Sequence, residues 1–352
     1  MKLLNTFWKS ICVCLLVAVT QTLVAQQVVT GRITNASDGT PVVDASVFVA
    51  NTSVGTVSDA SGNYSFIVQG RGSFEIVVSH VGYRSAFHKI VMPQDAHQYN
   101  VALEIVELEE ITVSTSGNYR RSDVNLFWSM ILGESPSRRG MEVLNAEKVY
   151  YYLNIDSVLK VSCREPVEII NHHTGYRIRY VLQSFEHNYR TGETVFGGST
   201  SFEELVPSNS REKRRWEQER QKVYAVSLNR FFRSLYRGNI HKEGFLLTKG
   251  IKEPVNIKDF SQADSGVIVV NIEVPLLLTY YGKPITDQMI KDVRKISGGY
   301  KTLIEFKPQQ IRVFPNGTYE NLLSTVTVGK YIGGLSSRVP IDYPENTQNI
   351  ED

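Results

Sequence analysis

Cysteine is scarce in this chain of 352 residues, which has three cysteines. Cys12 and Cys14 lie in the apolar stretch Ile11–Val19 near the amino terminus, so Cys163 is alone once that stretch is removed. An internal disulfide is then excluded, and stability must come from apolar cores, which a chain of this size can form. Cys163 ends the strand-like run Val158–Cys163, and we expect it to be a buried apolar side chain rather than a nucleophile.

A net charge of either sign is also lacking. The sequence has 38 Lys and Arg residues against 36 Asp and Glu residues. The first 25 residues contain Lys2 and Lys9 and no acid, so their removal leaves 36 residues of each sign. Because this balance attracts neither nucleic acid nor an anionic surface, we expect no nucleic-acid partner.

No apolar run has the roughly 20 residues that a membrane-spanning helix needs. The longest one near the amino terminus, Ile11–Val19, follows Lys2 and Lys9 and precedes the small residue Ala25. This order is typical of a secretory signal peptide. We therefore expect residues 1–25 to be cleaved on export, with a membrane anchor as the alternative.

Recognisable catalytic motifs are missing. The sequence has no G-x-S-x-G elbow, P-loop or dinucleotide-binding glycine pattern, and no histidine has Glu three residues later, as a zinc carboxypeptidase site requires. We assign no catalytic, cofactor-binding or metal-binding residue and expect no cofactor. His172 and His173 are adjacent, so on a strand they would point to opposite faces and could not chelate one ion together, although in a turn they could.

Carboxylates and tyrosines leave two alternatives open. A hydrolase with an unrecognised site would bring His172 or His173 close to Glu165 or Glu168 in a pocket. A glycosidase would instead need two carboxylates that flank a cleft. The candidate carboxylates are Glu165, Glu168, Glu203 and Glu204. The runs Tyr150–Tyr152 and Tyr280–Tyr281 could stack on sugars, but tyrosines in strands more commonly pack in the sheet.

Short alternating strands and tight turns extend from about Gln27 to Ser114, which predicts an all-β sandwich. Asp38-Gly39 and Ser61-Gly62-Asn63 supply the positive φ angles of tight turns. Asp59 has too few acidic neighbours for a calcium loop and should cap its turn. Apolar residues spaced two apart should form the core: Val47, Val49, Phe66, Val68, Ile76 and Val78.

This region resembles the carboxypeptidase-regulatory-like domain, a small transthyretin-like β-sandwich. The resemblance rests on V-T-G-R-I (Val29–Ile33), D-G-T-P-V-V-D-A-S-V-F-V (Asp38–Val49), G-T-V-S-D-A-S-G-N-Y-S-F (Gly55–Phe66) and F-E-I-V-V-S-H-V-G-Y (Phe74–Tyr83). In Bacteroidetes this domain commonly begins exported proteins, so the resemblance implies a place in the periplasm or at the outer membrane. In zinc carboxypeptidases it is a non-catalytic appendage, so it implies no activity.

The run Leu108–Ser114 is similar to the segment that contacts TonB in TonB-dependent receptors. A receptor barrel needs several hundred further residues, and fewer than 240 follow Ser114. We therefore predict a sandwich of residues 27–114 and interpret this run as its last strand plus linker. A TonB-linked adaptor that offers Glu110–Ser114 for strand addition is an alternative.

The remainder predicts a linker at 115–123, an α+β domain at 124–339 and a disordered tail at 340–352. Val124–Leu132 should be a short helix. Tyr176–Phe185 should be a strand with Ile178, Tyr180 and Leu182 on a buried face and Arg177, Arg179 and Val181 on a largely wet face. Ser210 should cap one long amphipathic helix, Ser210–Tyr236. Its apolar stripe would contain Trp216, Val223, Leu228, Phe231 and Leu235.

The second half also resembles the region that accompanies this sandwich in uncharacterised Bacteroidetes envelope proteins. The similar segments are Val161–Pro166, Thr174–Tyr180, Arg214–Glu217 with Arg220, and Phe231–Leu235. That resemblance brings no activity. The sequence as a whole therefore predicts an exported, non-enzymatic binding module for an envelope protein or glycan, with an outer-membrane receptor or TonB as possible partners.

Overall fold

Strands make up most of the architecture in a computed structural model of the protein. The structure describes residues 26–93, 97–106, 119–133, 137–250, 253–295, 298–307, 310–320, 325–328 and 334–344. The predicted signal peptide and the run Leu108–Ser114 lie outside the described residues and stay predictions. The mainly β fold class, with a β-sandwich before an α+β region, is confirmed.

The amino-terminal region forms the predicted sandwich. Its strands are β1 (Gln26–Asn35), β2 (Ser46–Val49), β3 (Gly55–Val57), β4 (Asn63–Gln69), β5 (Gly72–Ser79), β6 (Ala86–Met92) and β7 (Val101–Leu103). One sheet has the order β4-β1-β7 and the other β3-β2-β5-β6. Strand β1 pairs antiparallel with β4 and parallel with β7. All six residues predicted for the core are buried between the two sheets.

The predicted turns are present, and their backbone geometry explains which residues occupy them. Gly39 and Gly62 have φ angles of 73° and 78°, which favour glycine. The Asp59 carboxylate accepts hydrogen bonds from the backbone N–H groups of Ser61 and Asn63, both at 2.8 Å. Asp59 therefore caps its turn, as predicted.

The next region is a six-stranded sheet with a helix on one face. Its elements are α1 (Arg121–Leu132), β8 (Met141–Val143), β9 (Val149–Leu153), β10 (Val158–Cys163), β11 (Val167–Asn171), β12 (Tyr176–Asn188) and β13 (Thr194–Glu204). Strand β12 is central: β13 pairs along one edge, while β11 and β10 share the other and continue to β8 and β9. Phe127 of α1 packs against Phe185 and Tyr151, with ring centres 5.1 and 5.7 Å apart.

Helix α1 begins three residues earlier than predicted, inside the segment interpreted as a linker. The cause is Asp123, whose carboxylate accepts a hydrogen bond of 2.6 Å from the Arg120 N–H. This bond satisfies a backbone donor that the first turn of a helix would otherwise leave without a partner.

The predicted long helix is two consecutive helices, α2 (Ser210–Ala225) and α3 (Leu228–Tyr236). Asn209, not Ser210, caps α2, because its side chain accepts from the Glu212 N–H at 3.0 Å. Ser227 starts α3 in the same way through the Arg230 N–H at 3.1 Å. The predicted stripe also differs, since α2 buries Trp216, Arg220 and Tyr224 while Val223 is half-buried.

The last region has two further sheets. Its elements are β14 (Phe245–Lys249), β15 (Glu253–Pro254), β16 (Ser261–Asp264), β17 (Val267–Asn271), β18 (Leu276–Tyr280), α4 (Asp287–Lys291), β19 (Tyr300–Lys307), β20 (Gln310–Val313), β21 (Tyr319–Glu320) and β22 (Thr325–Val328). The sheet orders are β15-β14-β18-β19-β22 and β16-β17-β20-β21. Phe231, Phe232 and Leu235 of α3 share one buried cluster with strands of both sheets.

The outer face of the sandwich sheet β3-β2-β5-β6 joins the three regions. Phe48 and Val77 form a buried cluster with Val181 of β12. Val91 packs on the cluster that includes Phe314 of the last region. Val181 was predicted on the wet face of its strand, and it is instead 5% exposed because the sandwich covers it.

The predicted disordered tail is wrong for residues 340–344. The Ile341 N–H donates to the Asn51 carbonyl oxygen at 2.7 Å, and Asp342 accepts from the N–H of Ser53 at 3.0 Å. Tyr343 is buried against Tyr224. Residues 340–344 therefore have apolar surface that they bury against the rest of the chain. The rest of the tail lies outside the described residues.

Candidate ligand-binding face

The sandwich covers one row of side chains on one face of the six-stranded sheet. Beyond this row, the same face is exposed to solvent. We call this surface the open face. It crosses four adjacent strands, β9, β10, β12 and β13. The side chains on this face are those of Tyr150, Tyr152, Lys160, Ser162, Ser184, Glu186 and Val195. Gly197 lies on the same face and has no side chain.

Strand alternation places the two tyrosines on this face. Tyr151 points to the opposite side, where it packs on Phe127 of α1. Tyr150 and Tyr152 therefore point outwards, about 7 Å apart along the strand. Across the sheet Tyr152 is the neighbour of Lys160, which is in turn the neighbour of Glu186.

A β-bulge determines which residues of β12 reach the open face. The register of β12 against β13 shifts between Leu182 and Ser184, so Gln183 is the extra residue. Before the bulge Val181 points towards the sandwich, and after it Ser184 and Glu186 point to the same side. Because strand side chains alternate, the bulge is what moves Glu186 outwards and leaves Phe185 in the core.

The open face combines exposed apolar side chains with one ion pair. Tyr152 is 58% exposed and Val195 is 63% exposed. The Lys160 Nζ lies 3.0 Å from the Glu186 Oε1, and both side chains are about half exposed. An ion pair of this kind stabilises a fold by at most about 1 kcal/mol. Fold stability alone therefore gives little reason for the presence of this pair.

The open face lies directly beside the sandwich and is not covered by it. A methyl group built on Gly197 would meet Gln183 at 3.4 Å and Ser184 at 3.9 Å, both from its own sheet. The adjacent row is covered, because the Ser199 hydroxyl donates to the Glu75 carboxylate of β5 at 2.6 Å. At the other end, the Arg164 guanidinium lies 5.3 Å from the Tyr150 ring centre, so Tyr152 is the more open of the two tyrosines.

A polar cluster around the buried carboxylate of Asp123 lies on the opposite side of the sheet. The fully buried Asp123 carboxylate accepts hydrogen bonds from the Tyr189 hydroxyl and the Arg120 N–H. Burial raises the pKa of Tyr189 to about 12, helped by the bond to Asp123. Burial lowers the pKa of His187, whose Nδ1 lies 2.7 Å from the Thr194 hydroxyl oxygen. The cluster fastens the start of α1 to the hairpin between β12 and β13.

Three residues considered for a hydrolase site, His172, Glu165 and Glu168, each pair with a different residue. The His172 Nε2 lies 2.8 Å from Glu142, and Glu168 instead pairs with Arg179 at 2.8 Å. Glu165 pairs with Lys148 at 3.4 Å. In the described ranges no three His, Cys, Asp or Glu side chains are placed to hold a metal ion.

Other residues singled out in the sequence have packing roles. Cys163 is half-buried, and burial raises the pKa of its thiol to about 12, which suits an apolar side chain rather than a nucleophile. Tyr280 packs on Phe245 with ring centres 5.1 Å apart. Tyr281 packs on a small buried cluster around Leu246.

The sequence pointed to Tyr150 and Tyr152 but not to the rest of the open face. The usable signal was the spacing of two residues within a predicted strand. Lys160, Glu186 and Val195 are brought beside Tyr152 by strand order and by the bulge, neither of which can be inferred from local sequence.

Comparison with known proteins identifies the class of the first domain. Residues 29–113 match the model of the CarboxypepD_reg-like domain. No curated protein matches the sequence. A crystal structure of a candidate membrane-associated protein of unknown function from Bacteroides fragilis aligns with 84% of this chain and 99% of that chain, at 12% identity and a TM-score of 0.18. With so low a TM-score, this likeness carries no argument.

Among the described residues, none of the helices combines the length and the apolar composition that a membrane span requires.

Proposed function

We propose that this protein is exported to the cell envelope, where it acts as a binding module for an envelope component at the periplasmic or outer-membrane face. The observation that carries the proposal is the open face, with tyrosine, lysine, glutamate and valine side chains in one row across four strands. Tyrosines that combine an apolar ring with a polar hydroxyl are enriched at binding surfaces.

The compartment is supported by sequence alone. The first 25 residues have the order of charged, apolar and small residues that is typical of a signal peptide. The resemblance of residues 29–113 to a domain that commonly begins exported Bacteroidetes proteins supports the same compartment.

The fold supports a rigid surface. Val181 and Ser199 fasten the six-stranded sheet to the sandwich directly beside the open face. A surface held in this way loses little conformational entropy when a partner binds.

The test measures retention of the full-length tagged protein on isolated envelope material, together with its location after cell fractionation. We expect it in the envelope fraction, with weaker retention for Lys160→Glu, which reverses a charge in the centre of the open face. Lys258→Glu, an exposed lysine in another region, should bind like the unchanged protein. A cytoplasmic location, or equal retention of Lys160→Glu and the unchanged protein, would refute the proposal.

A further inference from the structure

The open face carries a more specific inference about its ligand, which rests on the proposed function. We propose that it binds an uncharged polysaccharide chain, laid across strands β9, β10, β12 and β13 with a sugar ring stacked on Tyr152. The row from Tyr152 to Val195 spans about 14 Å, which is three inter-strand spacings and wide enough for a short oligosaccharide.

The chemistry of the side chains fits a sugar. A pyranose ring has an apolar face of C–H groups and an edge of hydroxyl groups. The exposed ring of Tyr152 offers a flat apolar surface for the first. For the hydroxyl edge, Lys160 supplies hydrogen-bond donors and Glu186 supplies acceptors. Ser162 and Ser184 can both donate and accept.

The charges of the open face favour an uncharged ligand. In its centre Lys160 and Glu186 lie 3.0 Å apart and neutralise one another. A phosphorylated or acidic chain would be attracted by the lysine but repelled by the glutamate beside it. A neutral hydroxyl group can accept from the one and donate to the other without separating the pair.

The open face also differs from a typical protein-docking patch. The core of such a patch is depleted in charged residues, whereas here an ion pair lies between the exposed apolar side chains of Tyr152 and Val195. The face continues directly from the row that the sandwich covers, so the sandwich flanks one side of a chain laid from Tyr152 to Val195.

The test is native affinity electrophoresis of the full-length protein in gels that contain one polysaccharide each. The neutral probes are laminarin, mannan and xylan, and polygalacturonate is the anionic probe. We expect at least one neutral polysaccharide to slow migration. Tyr152→Ala should weaken that binding by about tenfold, since an aromatic stacking contact contributes on the order of one factor of ten. Tyr152→Phe keeps the ring and should retain most of the binding.

Tyr300→Ala is the matched control, because Tyr300 is 63% exposed but lies on β19 of another sheet. Unchanged melting temperatures would show that both alanine variants are folded. The inference is overturned if Tyr152→Ala binds like the unchanged protein, if Tyr300→Ala loses as much, or if only polygalacturonate slows migration. Retention on envelope material without binding to any neutral polysaccharide would also overturn it, while the broader binding function would stand.

Discussion

At the scale of single residues, the buried carboxylate of Asp123 has the clearest consequence. Its side chain is fully buried, and it accepts hydrogen bonds from the Tyr189 hydroxyl and the Arg120 N–H. Burial alone would raise the pKa of Asp123, but these hydrogen bonds outweigh it and hold the pKa below its ordinary value. The folded protein therefore binds this proton less readily than the unfolded chain does.

The stabilisation from Asp123 is consequently present in full above the ordinary aspartate pKa of about 3.9 and is lost as the pH falls through the lower folded value. Asp123→Asn should lower the free energy of unfolding by about 1–3 kcal/mol at pH 7, because the amide accepts these hydrogen bonds more weakly. The difference should shrink towards pH 3. Chemical unfolding at both pH values checks this.

Asp156→Asn, an exposed aspartate in the turn between β9 and β10, serves as the control and should change stability by less than about 0.5 kcal/mol. A loss for Asp123→Asn that is the same at pH 3 and pH 7 would contradict the role of the ionised carboxylate.

At the scale of elements, helix α2 is fastened to the turn between β11 and β12. The Trp216 Nε1 donates to the His172 carbonyl oxygen at 3.0 Å. Arg220 is 7% exposed and donates to the carbonyl oxygens of Thr174 and Gly175 at 2.6 and 3.0 Å. Its guanidinium also lies 4.0 Å from the Tyr176 ring centre, so a charged residue of α2 is part of the buried contact.

Gly175 is required at this contact for two reasons. Its φ angle is 66°, and a Cβ atom would lie 2.2 Å from the Trp216 ring. Gly175→Ala should therefore lower the free energy of unfolding by about 2–4 kcal/mol, from backbone strain and from displacement of α2. Thermal unfolding measures the loss.

Gly192→Ala separates these two causes. Gly192 has a φ angle of 74° in the hairpin between β12 and β13, and no neighbouring atom lies within 4 Å of its added Cβ. Gly192→Ala should lower the free energy of unfolding only through backbone strain, by about 1–2 kcal/mol. Equal losses for the two variants would show that Trp216 does not constrain Gly175.

At the scale of the whole molecule, the outer face of one sandwich sheet contacts both later regions. Phe48 and Val77 meet Val181, while Val91 meets the cluster around Phe314. Residues 341–343 add contacts to the loop after β2 and to α2. We therefore expect the sandwich and the six-stranded sheet to unfold together.

Val181→Asp tests this coupling. Val181 is 5% exposed, so the substitution places an uncompensated charge between the sandwich and the sheet at a cost of several kcal/mol. Calorimetry should show the single transition of the unchanged protein divided into two. Val195→Asp is the control, because Val195 lies on the same face of the same sheet but is 63% exposed. A single transition at the original temperature for Val181→Asp would show that the two parts are not coupled there.

Local sequence was sufficient for the sandwich and for most strands. Alternating residues such as Val47 and Ile76 are buried as predicted, since a period of two is a property of any strand with one covered face. Turns at Gly39 and Gly62 were predictable because positive φ angles favour glycine wherever they occur. The export signal is likewise a matter of residue order alone, and it stays a prediction.

Tertiary structure decided what depends on distant partners. Val181 is buried because the sandwich covers it, and residues 340–344 are placed because Asn51, Ser53 and Tyr224 receive them. The open face likewise depends on the order of four strands and on a bulge at Gln183. Alternation along a strand tells which residues share a side, but only the packed chain determines which side is covered and which meets solvent.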